Sequence, residues 1–255
     1  MRWRNVLILL MLMLFIAGLG ILLYPFIQGA MVDRQISMNA QAFLEDKDAQ
    51  TQSHAIIVPD STEGTEPEVA LPNKYPELYL AMQDYNTQIW EEKQSGLCDP
   101  WSYEQPSFDL TEYGISDEVF GVISIPALQL EMPIFLGATS QHMADGAAHL
   151  SQTSLPVGGN NTNCVIAGHR GYNGASYFRY ITDLQVGDTV TITNLWETIS
   201  YTVTRTDIIE PTDVSKILIQ ENREMLTLLT CHPYASGGRQ RYVVYCERTN
   251  EMEVI

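Results

Sequence analysis

Cys231 ends the string Thr227-Leu-Leu-Thr230-Cys231, and His169, sixty-two residues earlier, ends Val165-Ile-Ala-Gly-His169. Each is a short apolar run closing on one reactive side chain, as when a strand carries a nucleophile or its partner base to the rim of a sheet. A third strand-like run, Arg241-Tyr-Val-Val-Tyr-Cys246, opens on an arginine. A free thiol, with a pKa of about 8.5, holds little thiolate near neutral pH. An imidazole beside it can stabilise the thiolate and later protonate a leaving amine, which is the role open to His169. Attack on a peptide carbonyl builds an oxyanion, and Arg241 offers a permanently charged fork for it. Arg239 would share that face if the strand began earlier, but Arg241 stands directly before the apolar body of the run. These residues predict thiol-dependent acyl transfer, with the His169 ring on the same rim as the Cys231 sulfur and Arg241 on the sulfur's other side.

Other residues fit the chemistry less well. His54 lies in a polar, proline-containing stretch, and His142 and His149 flank a short helix-like connector. His232 directly follows Cys231, so on a strand it points to the opposite face. Cys164, His169, Cys231 and His232 lack the Cys-x-x-Cys or His-x-x-x-His spacing of a zinc site. A papain-like hydrolase would carry its own local cysteine signature, Gly-Ser-Cys-Trp, which is absent. The reading therefore calls for no metal and no cofactor. Cys164 and Cys246 sit inside apolar runs and read as small buried hydrophobes, with no disulfide expected.

The elements that would position this set begin near residue 119. Strand candidates are 119–125, 131–136, 164–167, 189–194, 199–209, 226–230 and 241–246, separated by turn signals such as Gly158-Gly-Asn-Asn and Ser236-Gly-Gly. Residues 140–149 and 175–184 read as short helical connectors. Seven or so short strands suggest a closed or nearly closed barrel, which also removes exposed sheet edges. Upstream, Leu78, Met82, Tyr85 and Ile89 recur at helical intervals and predict an amphipathic helix that packs on the barrel.

The N-terminus carries a different signal. Val6 to Ile27 is 22 residues without a charge, about 33 Å of helix and long enough to cross a hydrocarbon core. Arg2 and Arg4 precede it, which predicts a cytoplasmic N-terminus and everything after Ile27 on the extracellular face. The run exceeds a usual signal-peptide core and has no small-x-small cleavage site after it, so it reads as an uncleaved single-pass anchor in the cell membrane. The expected organisation is a cytoplasmic N-terminus at 1–4, the anchor at 5–28, and a juxtamembrane segment and linker at 29–74. A helix and loop region follows at 75–118, then the β-barrel at 119–248 and a polar tail at 249–255. The linker core, 51–72, holds Ser, Thr, Glu, Gly and three prolines with little periodicity. A formal charge of −17 over 255 residues offers no basic patch for nucleic acid.

The Thr-Leu-x-Thr-Cys strand, the distant histidine and the downstream arginine together resemble the sortases, over roughly residues 75–248. The resemblance implies a mainly β fold, a closed barrel of about eight strands with short connecting helices and an N-terminal helical extension. It implies a cysteine transpeptidase that cleaves a Leu-Pro-x-Thr-Gly-like sorting signal through a thioester and transfers it to an amine. Within the family, the stretches Ile134-Phe-Leu-Gly-Ala-Thr-Ser, Gly146-Ala-Ala-His-Leu and Thr153-Ser-Leu-Pro-Val-Gly-Gly are similar to the class C, pilin-polymerising branch. That branch implies pilins as substrates and a pilin lysine as acceptor; a housekeeping form would use a peptidoglycan precursor instead. Cys98-Asp-Pro-Trp101 resembles the branch's lid, in which Asp99 would lie by Arg241 and Trp101 would cover the cysteine. The sequence departs from the branch in two places: Thr249-Asn-Glu-Met-Glu replaces a second hydrophobic segment, and Ala235-Ser-Gly-Gly-Arg-Gln replaces its Asn-Thr-His before the arginine.

Overall fold

The apolar runs after residue 118 close into one barrel in the computed structural model, which describes residues 2–54, 72–102, 109–115 and 118–249. Its strands are β1 (Val119–Ile125), β2 (Leu130–Leu136), β3 (Ala147–His149), β4 (Thr162–Ala167), β5 (Thr189–Asn194), β6 (Thr198–Ile209), β7 (Glu224–His232) and β8 (Gln240–Arg248). The order around the barrel is β1-β2-β3-β4-β7-β8-β6-β5. β4 and β7 run parallel, with Ala167 opposite Leu229, while β7 and β8 form an antiparallel ladder with Cys231 opposite Arg241.

Strand parity divides the core. Leu226 and Leu228 of β7, Val244 and Cys246 of β8, and Cys164 and Ile166 of β4 join one cluster with Ile123, Ile134, Val190 and Val203. The odd-numbered residues of the same strands, Val165, Ala167, Met225, Leu229, Val243 and Tyr245, join a second cluster with Met143, Leu150 and Ile217. This two-sided covering explains why β4 and β7 read as continuous apolar runs, whereas β5, covered on one side, alternates. Truncating a fully buried leucine such as Leu228 to alanine should cost about 2–5 kcal/mol.

Two helices pack outside. α1 (Arg2–His54) runs without interruption through Pro25, and α2 (Pro76–Glu91) opens with proline at its first turn. The buried face of α2 is Leu78, Met82, Asn86 and Ile89. Asn86 is buried because it satisfies both backbone groups of Leu155, accepting from its N–H at 2.6 Å and donating to its carbonyl at 3.3 Å. Tyr85, the other expected face residue, is partly buried against the same cluster as Leu78 and Met82, and its hydroxyl accepts from the Gln152 N–H at 3.0 Å.

Two connectors differ from expectation. Residues 140–149 split into the short helix α3 (Ser140–Asp145) and the strand β3, separated by Gly146. Gly146 lies against the Pro133 carbonyl, where a Cβ would not fit, and Ala147 pairs beside Ile134; packing overrides alanine's helix preference. Residues 175–184 hold only a 3₁₀ turn at Ile181–Asp183. Their apolar spacing is helical, but Tyr177 sits at φ 43°, which ends any helix there. Residues 51–54 of the expected linker are helical, and 55–71 lie outside the described residues, as does most of the polar tail.

Candidate active site

β7 delivers Cys231 and β8 delivers Arg241 as directly opposed residues, so both side chains rise from the same face of the ladder. Arg241 Nη1 lies 3.8 Å from the Cys231 sulfur. On the other side of β7, β4 ends at Ala167 opposite Leu229, and two further residues bring its chain to His169. Thr230 fixes that junction by donating its hydroxyl to the Gly168 carbonyl at 2.7 Å. The order β4-β7-β8 thus puts Cys231 on the middle strand, with His169 to one side and Arg241 to the other.

A short turn at Pro100–Ser102 lies over this set. Asp99 meets Arg241 in a bidentate pair, accepting from Nε at 2.6 Å and from Nη2 at 2.7 Å. Asp99 also accepts from the Trp101 backbone N–H at 3.2 Å, which folds the turn. The Trp101 ring stands 4.4 Å from the Arg241 guanidinium carbon and 6.3 Å, edge-on, from the His169 ring. Leu97 and Trp101 pack on the second cluster, the layer shared by Leu229 and Val243. Arg241 spends its remaining nitrogen, Nη1, on the carbonyls of Gly238 and Gln240. Gly238 itself is at φ 73°, and a Cβ there would stand 3.1 Å from the sulfur, so only glycine lets the backbone pass this close. Arg239 is exposed and precedes β8.

The covered state biases the pair toward neutrality. Burial pushes the Cys231 thiol up; the charges of Arg241 and Arg170 oppose that, and Asp99 adds to it. Burial pushes the His169 imidazole down. Burial also works against the Arg241 charge, but the hydrogen bonds and charge of Asp99 more than offset it and raise its pKa. A thiol and a neutral imidazole are therefore favoured while Trp101 and Asp99 cover them.

Several residues near the site gave no warning in the sequence. Tyr172 stacks on His169 with ring centroids 4.6 Å apart, and Tyr177 meets the same ring edge-on at 5.8 Å. Arg170 turns away from His169 and donates to His232 Nδ1 at 2.6 Å, linking the residue after each reactive side chain. The remaining histidines play other parts. His149 is fully buried with its pKa pushed down to about 4 by burial, and its Nε2 faces the Thr153 and Ser154 carbonyls. His142 stacks on Phe135 and binds the Gly137 carbonyl. His54 is the last residue of α1. All four cysteines are free thiols, with Cys164 and Cys246 buried and Cys246 pushed up to about 12. Among the described residues no cluster of three His, Cys, Asp or Glu could hold a metal ion.

The chain is similar to known proteins in sequence and in fold. The sortase domain pattern matches residues 123–249. The chain is 29% identical over 130 residues to Sortase D of Bacillus subtilis, and those residues span 50% of this chain and 63% of that protein. Among solved structures, the pilus-related sortase C of Group B Streptococcus superposes with a TM-score of 0.62 at 31% identity, covering 69% of this chain and 90% of that one. Sortase C of Streptococcus pneumoniae gives a TM-score of 0.61 at 31% identity, covering 69% and 88%. With this fold, this coverage and this identity, the chain belongs to the sortase family, and its structural neighbours are class C pilin sortases.

Proposed function

We propose that this chain is a membrane-anchored cysteine transpeptidase that acts on Leu-Pro-x-Thr-Gly-like sorting signals and passes the acyl group to an amine, a pilin lysine in the class C reading. The observation that carries it is the opposed pair Cys231 and Arg241, with His169 at the neighbouring strand end and Asp99 and Trp101 over all three. Cys231 passes its thiol proton to His169, its sulfur attacks the threonyl carbonyl carbon, and the carbonyl π electrons move to oxygen; their return breaks the carbon–nitrogen bond. Arg241 faces that oxygen once Asp99 withdraws, and His169 gives its proton to the leaving glycine nitrogen. The product is a thioester and a free amine. An incoming amine attacks the thioester, loses a proton to His169 and returns the thiol, so atoms and charge balance. α1, with its exposed apolar run of mean hydropathy 3.1, is long enough to cross a membrane and would hold the barrel outside the cell.

The test incubates the full-length protein in detergent with a Leu-Pro-x-Thr-Gly peptide and a lysine-bearing acceptor peptide. Mass spectrometry should find a branched product from the native chain and none from Cys231→Ala. Cleavage that survives Cys231→Ala sinks the nucleophile assignment; cleavage with water but no lysine product sinks the pilin-type acceptor.

A further inference from the structure

α1 records which end of the barrel meets the membrane. Its apolar run ends at Ile27, and its contact with the barrel begins in that last turn, at Pro25 and Gly29. Gly29 and Gly174 meet backbone to backbone, and Gly174 also lies on the Pro25 carbonyl; a Cβ on either glycine would overlap the other chain. One turn on, Asp33 accepts from the Ser176 N–H at 2.8 Å and from its hydroxyl at 3.3 Å. Ile36 and Ala40 continue the buried stripe, and Lys47 donates to the Asn194 carbonyl at 2.8 Å.

Those contacts sit at opposite ends of the barrel. Gly174 and Ser176 belong to the loop that follows His169. Asn194 ends β5, and β5 pairs antiparallel with β6, β6 with β8, and β8 with β7. β5 therefore runs opposite to β7, and Asn194 marks the end far from Cys231. Between Gly29 and Lys47 the helix climbs about 27 Å along the wall. The catalytic end is thus tied to the last turn of the apolar span. Tyr172, two residues from Gly174 and so within about 7 Å of it along the chain, stacks directly on His169. A bend at Pro25 would tilt the span without changing this height, because the Gly174 contact lies at and beyond the proline.

The rim at that level has the composition of an interface belt. Tyr24 on α1 is 64% exposed, Tyr172 43% and Tyr234 52%. Arg179 lies over the Tyr234 ring, 5.0 Å from its centroid, and donates to its hydroxyl at 3.0 Å. Tyrosines and arginines of this kind favour the headgroup layer, where an apolar body and a polar tip are both satisfied. We propose that the catalytic end of the barrel faces the bilayer, with Tyr172, Tyr234 and Arg179 in contact with lipid headgroups. The proposal rests on the reading of α1 as a membrane anchor. It defines the kind of substrate that fits: a chain whose scissile bond lies close to the membrane surface, reaching Cys231 sideways along the headgroups.

The test reconstitutes the full chain into phosphatidylcholine–phosphatidylglycerol vesicles with a photo-crosslinking residue at one exposed position. Tyr234→p-benzoylphenylalanine and Arg239→p-benzoylphenylalanine probe the catalytic end; the same change at Asn160 and at Asn222 probes the far end. Flotation with the vesicles is scored first and reads the anchor by itself. Because Asn160 and Asn222 precede the starts of the parallel strands β4 and β7, at the barrel end opposite Cys231, lipid adducts at 234 and 239 should exceed those at 160 and 222 by about tenfold. Floating protein with equal yields at both ends, with no lipid adduct at any position, or with more at the far end, overturns the orientation while leaving the anchor intact. Protein that stays in the supernatant overturns the anchor, and the orientation with it. Two positions at each end keep the result independent of any one variant's folding.

Discussion

The β7–β8 hairpin carries arginine–carboxylate pairs at both ends, two at the far end, where Arg248 also meets Glu224 at 2.9 Å, and one at the near end, and the ends are built differently. At the far end Arg223, just before β7, meets Glu247 of β8, with side chains 36% and 39% exposed. At the near end Arg241 meets Asp99 with side chains 7% and 21% exposed, and the carboxylate comes from a turn 142 residues away. The exposed pair joins two strands already joined by their ladder, so little depends on it. The covered pair joins the barrel to the turn at 99–102, and it neutralises the cation nearest the thiol. Such a pair is costly to break because the partner left behind is a charge in a closed site. The contrast places the electrostatic leverage of the molecule at one end of one hairpin.

The largest expected effect tests that leverage directly. Arg241→Ala should lower kcat/KM for peptide cleavage by about 10²–10³-fold, the size of losing one oxyanion donor. Arg223→Ala should leave cleavage unchanged. If both variants lose activity equally, the arginines act through stability and the comparison fails.

Asp99→Ala should come next, with the opposite sign. It removes the bidentate acceptor and the N–H acceptor that folds the Trp101 turn. The uncovered population should rise, and iodoacetamide labelling of Cys231 should quicken by about tenfold, equivalent to about 1.4 kcal/mol of cover. The pH dependence should shift as well. Burial holds the thiol pKa up and Asp99 adds to it, so removing both lets the Arg241 charge dominate and the pKa fall. The labelling-versus-pH curve should therefore move to lower pH in Asp99→Ala, and by less in Trp101→Ala, which uncovers the thiol but keeps the carboxylate. A faster rate with an unmoved curve would mean that exposure alone changed.

Much of this end was legible in the sequence because parity is local. His169, Cys231 and Arg241 are all odd-numbered, and so are Val165, Ala167, Leu229 and Val243, the residues that line the same face below them. The arginine choice followed from where the apolar run began, and the register with Cys231 has the same origin. Asp99 and Trp101 were visible only through the family resemblance, since nothing local connects a turn to a strand 142 residues away. Tyr177 was hidden because its segment, 175–184, has helical spacing but folds as turns around a positive φ, and Tyr172 because it sits in the turn between Gly171 and Gly174. β3 was hidden because two alanines carry no strand signal and their pairing is decided by the neighbours of Gly146. On α1, Gly29, Asp33, Ile36 and Ala40 recur at helical intervals, so a docked stripe was readable. Its partner was not, because Gly174 offers the helix only backbone.

Gly238→Ala sharpens the comparison at smaller scale. Its φ of 73° and a Cβ position 3.1 Å from the sulfur and 3.2 Å from Arg241 Nη1 make alanine strained there. The expected cost is about 1 kcal/mol of stability, with a fall in Cys231 labelling as the methyl group crowds the sulfur. Equal labelling of Gly238→Ala and the native chain would show that the 233–239 turn relaxes away from the thiol and does not wall the site.

The smallest effect belongs to the far pair. A double-mutant cycle on Arg223→Ala and Glu247→Ala, read by urea denaturation, should give a coupling of about 0.2–1 kcal/mol. Both side chains are more than a third exposed, so solvent screens the pair, and each partner left alone is still hydrated. The coupling should shrink further in 1 M salt, where the screening length falls to about 3 Å. Labelling of Cys231 should stay at the native rate in all three variants, because β7 and β8 remain held by their backbone ladder between the two ends. A coupling well above this range, or a changed labelling rate, would mean that the far end communicates with Cys231 through the hairpin. The two ends would then be parts of one device, and the contrast between a bystander pair and a working pair would be wrong.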